Sequence, residues 1–408
     1  MNARPGGLWR HPDFMRLWTA QAVSSFGARI AREGLPMAAV LSLRAGPVAV
    51  GLFAAITLGA QAAVGLFAGD LVDRLPGRRL LIGADVARAL VLAALPLAAL
   101  AGHLSLIEIY VAGALMGVFN VLFDIADHAI LPTLVEPAEL ADGNAKLAAT
   151  DAVAEVGGPA LAGLLFQLVS PPLAVAVNAA TYVVSAVLLG RIRPTPAAKP
   201  EGEPEPFRLA LTDGLRIVFA HRMVWPLWLG DVAKSFFGNF YAALYIVLAI
   251  DVLKLTPGML GLTIAMGGIG GFAGAALAPW LTRRLGAGAT ILAGGVVGAA
   301  MTFLIPLASG PPLVAMAMLA TAQLIGDGLQ TVSGIGAVTL RQTLLPTHQL
   351  GRAAGAFAAF GALAGVVGAL TGGVLGAAIG PRETLLIASA GITATSLLLV
   401  LSPLRRLR

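Results

Sequence analysis

The stretch Gly69–Ala89, GDLVDRLPGRRLLIGADVARA, contains three aspartates and four arginines. Only 12% of the whole chain is charged, and the runs on either side, VGLFAAITLGAQAAVGLF (50–67) and LVLAALPLAAL (90–100), carry no charge at all. A helix needs about 20 apolar residues to cross a bilayer. The pattern therefore predicts two membrane helices joined by a short charged segment that stays in contact with water.

The same alternation of apolar runs and short polar breaks continues along all 408 residues, of which 58% are hydrophobic. It predicts an all-α membrane protein with twelve transmembrane helices, near 14–42, 48–69, 79–100, 106–129, 144–169, 173–190, 224–250, 258–281, 288–308, 312–336, 352–378 and 383–401. The first apolar run is too long for a cleavable signal, so we interpret it as the first membrane helix. A segment rich in proline and glutamate divides the chain in two. We expect an N-terminal six-helix half at 1–190, a cytoplasmic linker with an amphipathic segment at 191–222, and a C-terminal six-helix half at 223–408.

The basic residues are distributed unevenly between the two sides of the predicted membrane. Of the 27 Lys and Arg residues, 20 fall on the side of the N-terminus and 3 on the other. The positive-inside rule then places both termini in the cytoplasm, with the chain in the inner (plasma) membrane. No basic stripe with interleaved aromatic residues occurs in the sequence, so a nucleic-acid partner is not expected.

The two halves repeat one another. HPDFMRLWTAQAVSSFG from His11 aligns with HRMVWPLWLGDVAKSFF from His221, and LVDRL (71–75) aligns with LTRRL (281–285). Because each half has an even number of helices, the copies share one topology. They are therefore predicted to be related by a pseudo-two-fold axis along the membrane normal, with a substrate site between them at mid-membrane.

Three motifs carry a resemblance to a known family. GDLVDRLPGRR (69–79), FDIADHAILPTLV (123–135) and GGPALAGLL (157–165) resemble the major facilitator superfamily, in the drug and siderophore exporter branch of macrolide efflux proteins and enterobactin exporters. The sequence departs from the family pattern at Pro76 and at Ala162, where the antiporter motif has glycine. The resemblance implies a monomeric exporter of amphipathic small molecules, coupled to protons, without cofactor or metal.

The charged segment at 69–79 resembles the signature of that superfamily. The resemblance implies a cytoplasmic gate formed by Gly69, Asp73, Arg74, Arg78, Arg79, Asp85 and Arg88. Asp73 is expected to meet the start of the eleventh helix, near Gly351 and Arg352, because a helix N-terminus and an arginine both stabilise a carboxylate. The alternative is that the arginines only fix topology.

Several polar groups lie inside predicted helices, where an unpaired ion costs about 3 kcal/mol. The resemblance implies that the first, fourth, seventh and tenth helices line the central cavity, and these four carry most of the groups. The predicted cavity and coupling residues are Gln21, Arg29, Glu33, Asn120, Asp124, Asp127, His128, Asp231, Lys234, Asn239, Tyr241, Gln323, Asp327 and Gln330.

These groups have structural interpretations as well. Arg29 with Glu33, Asp231 with Lys234, and Asp85 with Arg88 could be ion pairs that hold helices together. The acidic group at 124–128 could be a wetted helix end, and Asp151 and Glu155 are secondary candidates. Asp327 has no basic residue within a turn, so it is the leading candidate for the proton carrier, with Glu33 as its rival.

Glycines of the eighth helix (267, 270, 271 and 274) and of the eleventh (361, 365, 368, 372 and 376) predict helices that approach closely. Three functions then remain open: a proton-coupled exporter, an uncoupled facilitator or importer, and a membrane-embedded enzyme. The sequence has no cysteine and neither an HExxH nor a GxSxG motif, and only one of its five histidines, His128, lies within a predicted helix. An enzyme is therefore disfavoured.

Overall fold

A computed structural model describes residues 7–74, 77–193 and 207–406, apart from the side chains of 66–74, 128–129, 207–210 and 406. Regular structure in these ranges is helical. The first six long helices are α1 (Pro12–Leu43), α2 (Pro47–Arg74), α3 (Gly77–Leu100), α4 (Leu106–Ile130), α5 (Leu140–Leu168) and α6 (Pro171–Gly190). A shorter helix, α7 (Phe207–Ala220), precedes α8 (Val224–Val252), α9 (Pro257–Leu285), α10 (Ala287–Leu307), α11 (Pro312–Leu344), α12 (Thr347–Ile379) and α13 (Pro381–Val400).

The twelve long helices confirm the predicted fold class, and α7 is the predicted amphipathic segment. Among the described residues, ten helices are long and apolar enough to cross a membrane by composition alone. The other two long helices, α1 and α5, are of spanning length but carry more charged and polar residues. Proline is the first residue of α1, α2, α6, α9, α11 and α13, where its missing N–H has no partner to lose.

Helix α11 differs from the sequence expectation in two ways. It continues to Leu344 rather than ending near residue 336, which brings Arg341 into the helix. Its middle, Ala322–Asp327, is a π-helical segment. A π segment adds a residue to the turn and so rotates the side chains that follow it by about 100°. The predicted stripe through Gln323, Asp327 and Gln330 is therefore interrupted.

The chain forms two compact units. Unit 1 comprises Met1–Leu43 and Ala60–Pro204, and unit 2 comprises Arg44–Gly59 and Glu205–Arg408, so that α2 is divided between them. The core of unit 1 includes fully buried Phe14 and Leu17 of α1 and Leu81 of α3. The residue boundaries expected from the sequence, at 190 and 223, stay a prediction.

Glycines set the closest helix contacts in unit 2, as the sequence predicts. Along α12, the position of a Cβ on Gly368 would collide with the carbonyl oxygen of Phe236 on α8. Between α9 and α11, a Cβ on Gly270 or Gly274 would collide with the carbonyl oxygen of Leu324 or Gly328. In each case the backbones lie so close that a methyl group has no room.

This contact yields a prediction about stability. Gly274→Ala should destabilise the protein by about 1–3 kcal/mol, because the methyl group must displace the α11 backbone. Gly271→Ala is the matched control: it makes the same change on the same helix, but its Cβ would lie 3.5 Å from Thr331 Oγ1, an ordinary contact. The temperature at which detergent-purified protein loses its monodisperse peak measures both. Equal melting temperatures for the two variants would contradict the packing described.

Candidate functional site

An ion cluster in unit 1 connects α1 to α5. Glu155 forms ion pairs with two arginines of α1: its Oε2 lies 2.8 Å from Arg29 Nε, and its Oε1 lies 2.8 Å from Arg32 Nη2. Arg32 Nε also lies 2.9 Å from Glu33 Oε1. The cluster therefore contains two cations and two carboxylates in a balanced arrangement.

This geometry corrects the predicted pairing of Arg29 with Glu33. A glutamate four residues after an arginine can pair with it along a helix, but Glu155 on the neighbouring helix takes that place. Gly158 makes this approach possible, since a Cβ there would collide with the Arg29 side chain. Ser25 Oγ donates a hydrogen bond to Asp151 Oδ1, at 2.6 Å. The secondary candidates Asp151 and Glu155 thus both contact side chains of α1. Their i, i+4 spacing places them on the same face of α5.

A second ion pair lies in the interior of unit 1. Arg88 Nη2 lies 3.1 Å from Asp85 Oδ1, and the two side chains are 2% and 0% exposed. Ser24 of α1 donates to Asp85 at 3.1 Å, and Arg88 donates to Asn120 of α4 at 3.3 Å. The Arg88 guanidinium also lies 4.2 Å from the centre of the Phe123 ring. The predicted pair is confirmed, and it joins α3 to α1 and α4.

The remaining predicted residues of unit 1 are scattered. Gln21 is buried, and its Nε2 has no hydrogen-bond partner among the described residues. On α4, Asp124 is exposed, and Asp127 is half-buried with an unpartnered Oδ1 in the described part of the chain. The side chain of His128 lies outside the described residues.

Arg78 of the charged signature has a defined structural role. Its Nε donates to the carbonyl of Leu189 at 2.9 Å, and its Nη2 donates to the carbonyl of Gly190. These are the last carbonyls of α6, where a cation satisfies unpaired acceptors and complements the helix dipole. Arg79 is exposed. The side chains of Gly69, Asp73 and Arg74 lie outside the described residues, so the latch expected of Asp73 stays a prediction.

The expected partner of Asp73 is itself engaged in unit 2. Arg352, near the start of α12, lies 3.7 Å from Asp213 Oδ2 of α7. Gly214 of α7 lies against the carbonyl of Arg352, so that the two helices pack directly on each other at this point.

Unit 2 contains an open cleft of about 530 Å³. It is lined by two of the predicted residues, Asp231 and Asn239 of α8, and also by Arg341 of α11. Sequence reasoning missed Arg341 because the predicted tenth helix stopped before it. The predicted pair between Asp231 and Lys234 makes no direct contact within 4.0 Å in the part of the chain that the structure describes, but the two charges act on each other.

Tyr241 forms hydrogen bonds between helices, and its predicted role in the substrate cavity stays a prediction. Its hydroxyl lies 2.6 Å from Ser389 Oγ of α13 and 3.4 Å from the carbonyl oxygen of Thr302, to which it donates. It is not among the residues that line the cleft. Tyr241 therefore connects neighbouring helices of unit 2.

Asp327 ends the π segment of α11. Its carboxylate and the Gln323 amide face Gly267 of α9, where a Cβ would lie 3.1 Å from Gln323 Oε1 and would collide with Asp327 Oδ2. Gln330, one turn further on, instead packs on Gly298 of α10. The Asp327 side chain is exposed, and within the described ranges it forms no ion pair and no side-chain hydrogen bond.

Across the described residues, no group of three or more histidine, aspartate and glutamate side chains is placed to hold a metal ion.

Comparison with known proteins decides the family. The profile of the Major Facilitator Superfamily matches residues 17–369. The chain belongs to the major facilitator superfamily. Among curated proteins it is 26% identical to the multidrug efflux pump Tap of Mycolicibacterium fortuitum, over 79% of this chain and 80% of that protein.

Solved structures show the same fold at low sequence identity. The nucleoside transporter NupG superposes with a TM-score of 0.74 at 11% identity, covering 96% of this chain and 98% of NupG. A bacterial homologue of the human lysosomal transporter Spinster superposes with a TM-score of 0.70 at 14% identity, covering 98% of this chain and 96% of that one. The protein is thus a multi-pass membrane transporter of the superfamily, whose members bind small-molecule substrates in the membrane.

The buried pair in unit 1 gives a second prediction. Arg88→Met should cost about 3–5 kcal/mol, because it leaves the Asp85 carboxylate buried without a cation. Adding Asp85→Asn to that variant should recover part of the loss, since the amide is neutral and still accepts from Ser24. Melting temperatures in detergent measure the effect, with exposed Arg79→Met of the same helix as the control. A double variant no more stable than Arg88→Met would show that the pair is not what stabilises this core.

Proposed function

We propose that this transporter exports amphipathic small molecules, drug-like compounds or siderophores and other metabolites, by alternating access driven by proton antiport. The similarity to a multidrug efflux pump over most of both chains supports export. The proposal includes an inner-membrane location with both termini in the cytoplasm, supported by the uneven distribution of lysine and arginine.

The observation that carries the coupling proposal is the unpartnered carboxylate of Asp327. Most other charges of the described helices have partners: Arg29 and Arg32 meet Glu155, and Asp85 meets Arg88. Asp327 has neither a cation nor a hydrogen-bond donor on its carboxylate in the described parts of the chain. Since a charge without a partner is costly in a membrane, such a group is suited to take up and release a proton.

The setting of Asp327 supports a link between its protonation and helix movement. It sits at the end of a π segment, a distortion that is frequent at functional sites. It also faces Gly267, on the helix whose Gly270 and Gly274 touch the α11 backbone. A change of charge here acts where α9 and α11 approach most closely. Protonated and charged states can then favour different conformations, as antiport requires.

Glu33 is the rival carrier and is less suited to the role. Its carboxylate is engaged by Arg32 at 2.9 Å. We propose that Glu33 belongs to the ion cluster and that coupling belongs to Asp327. The signature around Asp73 then acts as the cytoplasmic gate.

An uncoupled facilitator or importer in the same fold is the second candidate. The likeness to NupG, a nucleoside transporter, shows that the fold alone does not distinguish it. The two candidates differ in one observable: only the antiporter responds to an imposed proton gradient.

The coupling test uses proteoliposomes loaded with a pH gradient. Asp327→Asn should abolish gradient-driven movement of norfloxacin or ethidium, because an amide cannot exchange a proton. Downhill counterflow exchange of the same compound should survive. Asp251→Asn, at the exposed end of α8, is the matched control and should behave as wild type.

Two outcomes would contradict this proposal. A normal response of Asp327→Asn to the gradient would move coupling to another acid, with Glu33→Gln as the next variant to measure. A wild-type protein that equilibrates these compounds but ignores the gradient would establish the facilitator instead.

A further inference from the structure

The cleft of unit 2 is lined by charged side chains that have no role in the proposed coupling mechanism. It lies between α8, α11 and α12, with one residue of α2 at its edge, and encloses about 530 Å³. Its lining residues are Leu58, Asp231, Ser235, Asn239, Val338, Arg341, Ala354, Phe357, Ala358, Gly361 and Ala362. The volume falls in the range of small-molecule binding sites, and the lining combines apolar walls with a few polar groups.

The cleft exists because α8 and α12 pack tightly against each other, whereas α11 packs loosely against both of them. α8 and α12 meet along a row of α12 glycines, with Gly365 against Asn239 and Gly372 against Phe240. α11 touches each of them at few positions at the end that carries Arg341. Small residues of α12, Ala354, Ala358 and Gly361, then leave the space unfilled.

Two opposite charges line this space and act on each other without direct contact. No ion pair within 4.0 Å joins Asp231 and Arg341 in the described part of the chain, and neither side chain forms a hydrogen bond to a described residue. The Arg341 guanidinium of α11 lies 4.4 Å from the centre of the Phe357 ring of α12, which is a cation–π distance. Apolar surface therefore lies near both an available carboxylate and an available guanidinium.

We propose that this cleft is a substrate subsite for amphipathic zwitterions, molecules that carry an amine and a carboxylate on one apolar body. The proposal rests on the proposed transport function and specifies its substrate class. The amine binds Asp231, the carboxylate binds Arg341 through a charge-assisted hydrogen bond, and the ring system packs on Phe357, Val338 and Leu58. Ser235 and Asn239 offer further polar contacts beside Asp231.

Charge selectivity follows from the same arrangement. A simple lipophilic cation would pair with Asp231 but would leave Arg341 without a counter-ion and add a positive charge near Lys234 and Arg341, both of which act on Asp231. Specificity of this kind comes from the penalty on the wrong ligand as much as from attraction to the right one. A zwitterion is the class that satisfies both walls at once.

The test measures equilibrium binding to the full-length protein in detergent, without any gradient. The probes are norfloxacin, a fluorescent zwitterion with a piperazine amine and a carboxylate, and its methyl ester, which keeps the amine only. Wild-type protein should bind norfloxacin more tightly than the ester. Arg341→Gln should weaken norfloxacin binding by about tenfold or more and leave the ester unchanged, which removes the preference.

Further variants separate charge from shape. Asp231→Asn should weaken both probes, since both present the amine. Arg341→Lys should keep part of the preference for norfloxacin, because the positive charge remains without the planar guanidinium. Asp251→Asn, outside the cleft, should change neither affinity.

Several results would overturn the proposal: no norfloxacin binding by wild type, equal affinity for the two probes, or equal losses for both probes in Arg341→Gln. If Arg341→Gln fails to fold, the comparison of wild type with Arg341→Lys and Asp231→Asn decides the matter. Failure here leaves gradient-driven efflux open, and failure of coupling leaves this binding result standing, because the two assays share no gradient.

Discussion

The ion cluster between α1 and α5 shows the constraint on which the rest of this structure depends. A charged side chain inside a membrane is expected to be paired or to have a function, because an unpaired charge there costs about 3 kcal/mol or more. Glu155 receives two arginines there, at 2.8 Å each, and a second pair is buried between Asp85 and Arg88. The apolar helices around them could not otherwise tolerate these three arginines and three acids.

Outside these pairs, three charged side chains of unit 2 are placed to take part in transport. Asp327 faces a glycine helix without a cation, and Asp231 and Arg341 face a shared cleft without touching. Asp327 lies where protonation can act on the packing of α9 and α11. Asp231 and Arg341 lie where one ligand can contact both. We therefore propose that coupling and recognition belong to different residues of unit 2.

Helical architecture was predictable from the sequence because apolar length and charge placement are local properties. The pair of Asp85 and Arg88 was predictable for the same reason, since both lie on one helix. The partner of Arg29 was not: the choice between Glu33 and Glu155 depends on how closely α5 approaches, which Gly158 decides. Likewise, the π segment of α11 separates Gln330 from Asp327, and the extension of that helix to Leu344 places Arg341 in the cleft. Neither the π segment nor the extra length of α11 changes the periodic pattern of apolar residues from which helices are predicted.

The most direct measurement of the central claim, that Asp327 exchanges a proton as substrate binds, is proton release in weakly buffered detergent solution. Adding norfloxacin to wild-type protein should acidify the solution, as followed with a pH-indicating dye. Asp327→Asn should bind norfloxacin and release no proton, while Glu33→Gln should release protons as wild type does. Equal proton release by wild type and Asp327→Asn would contradict the account.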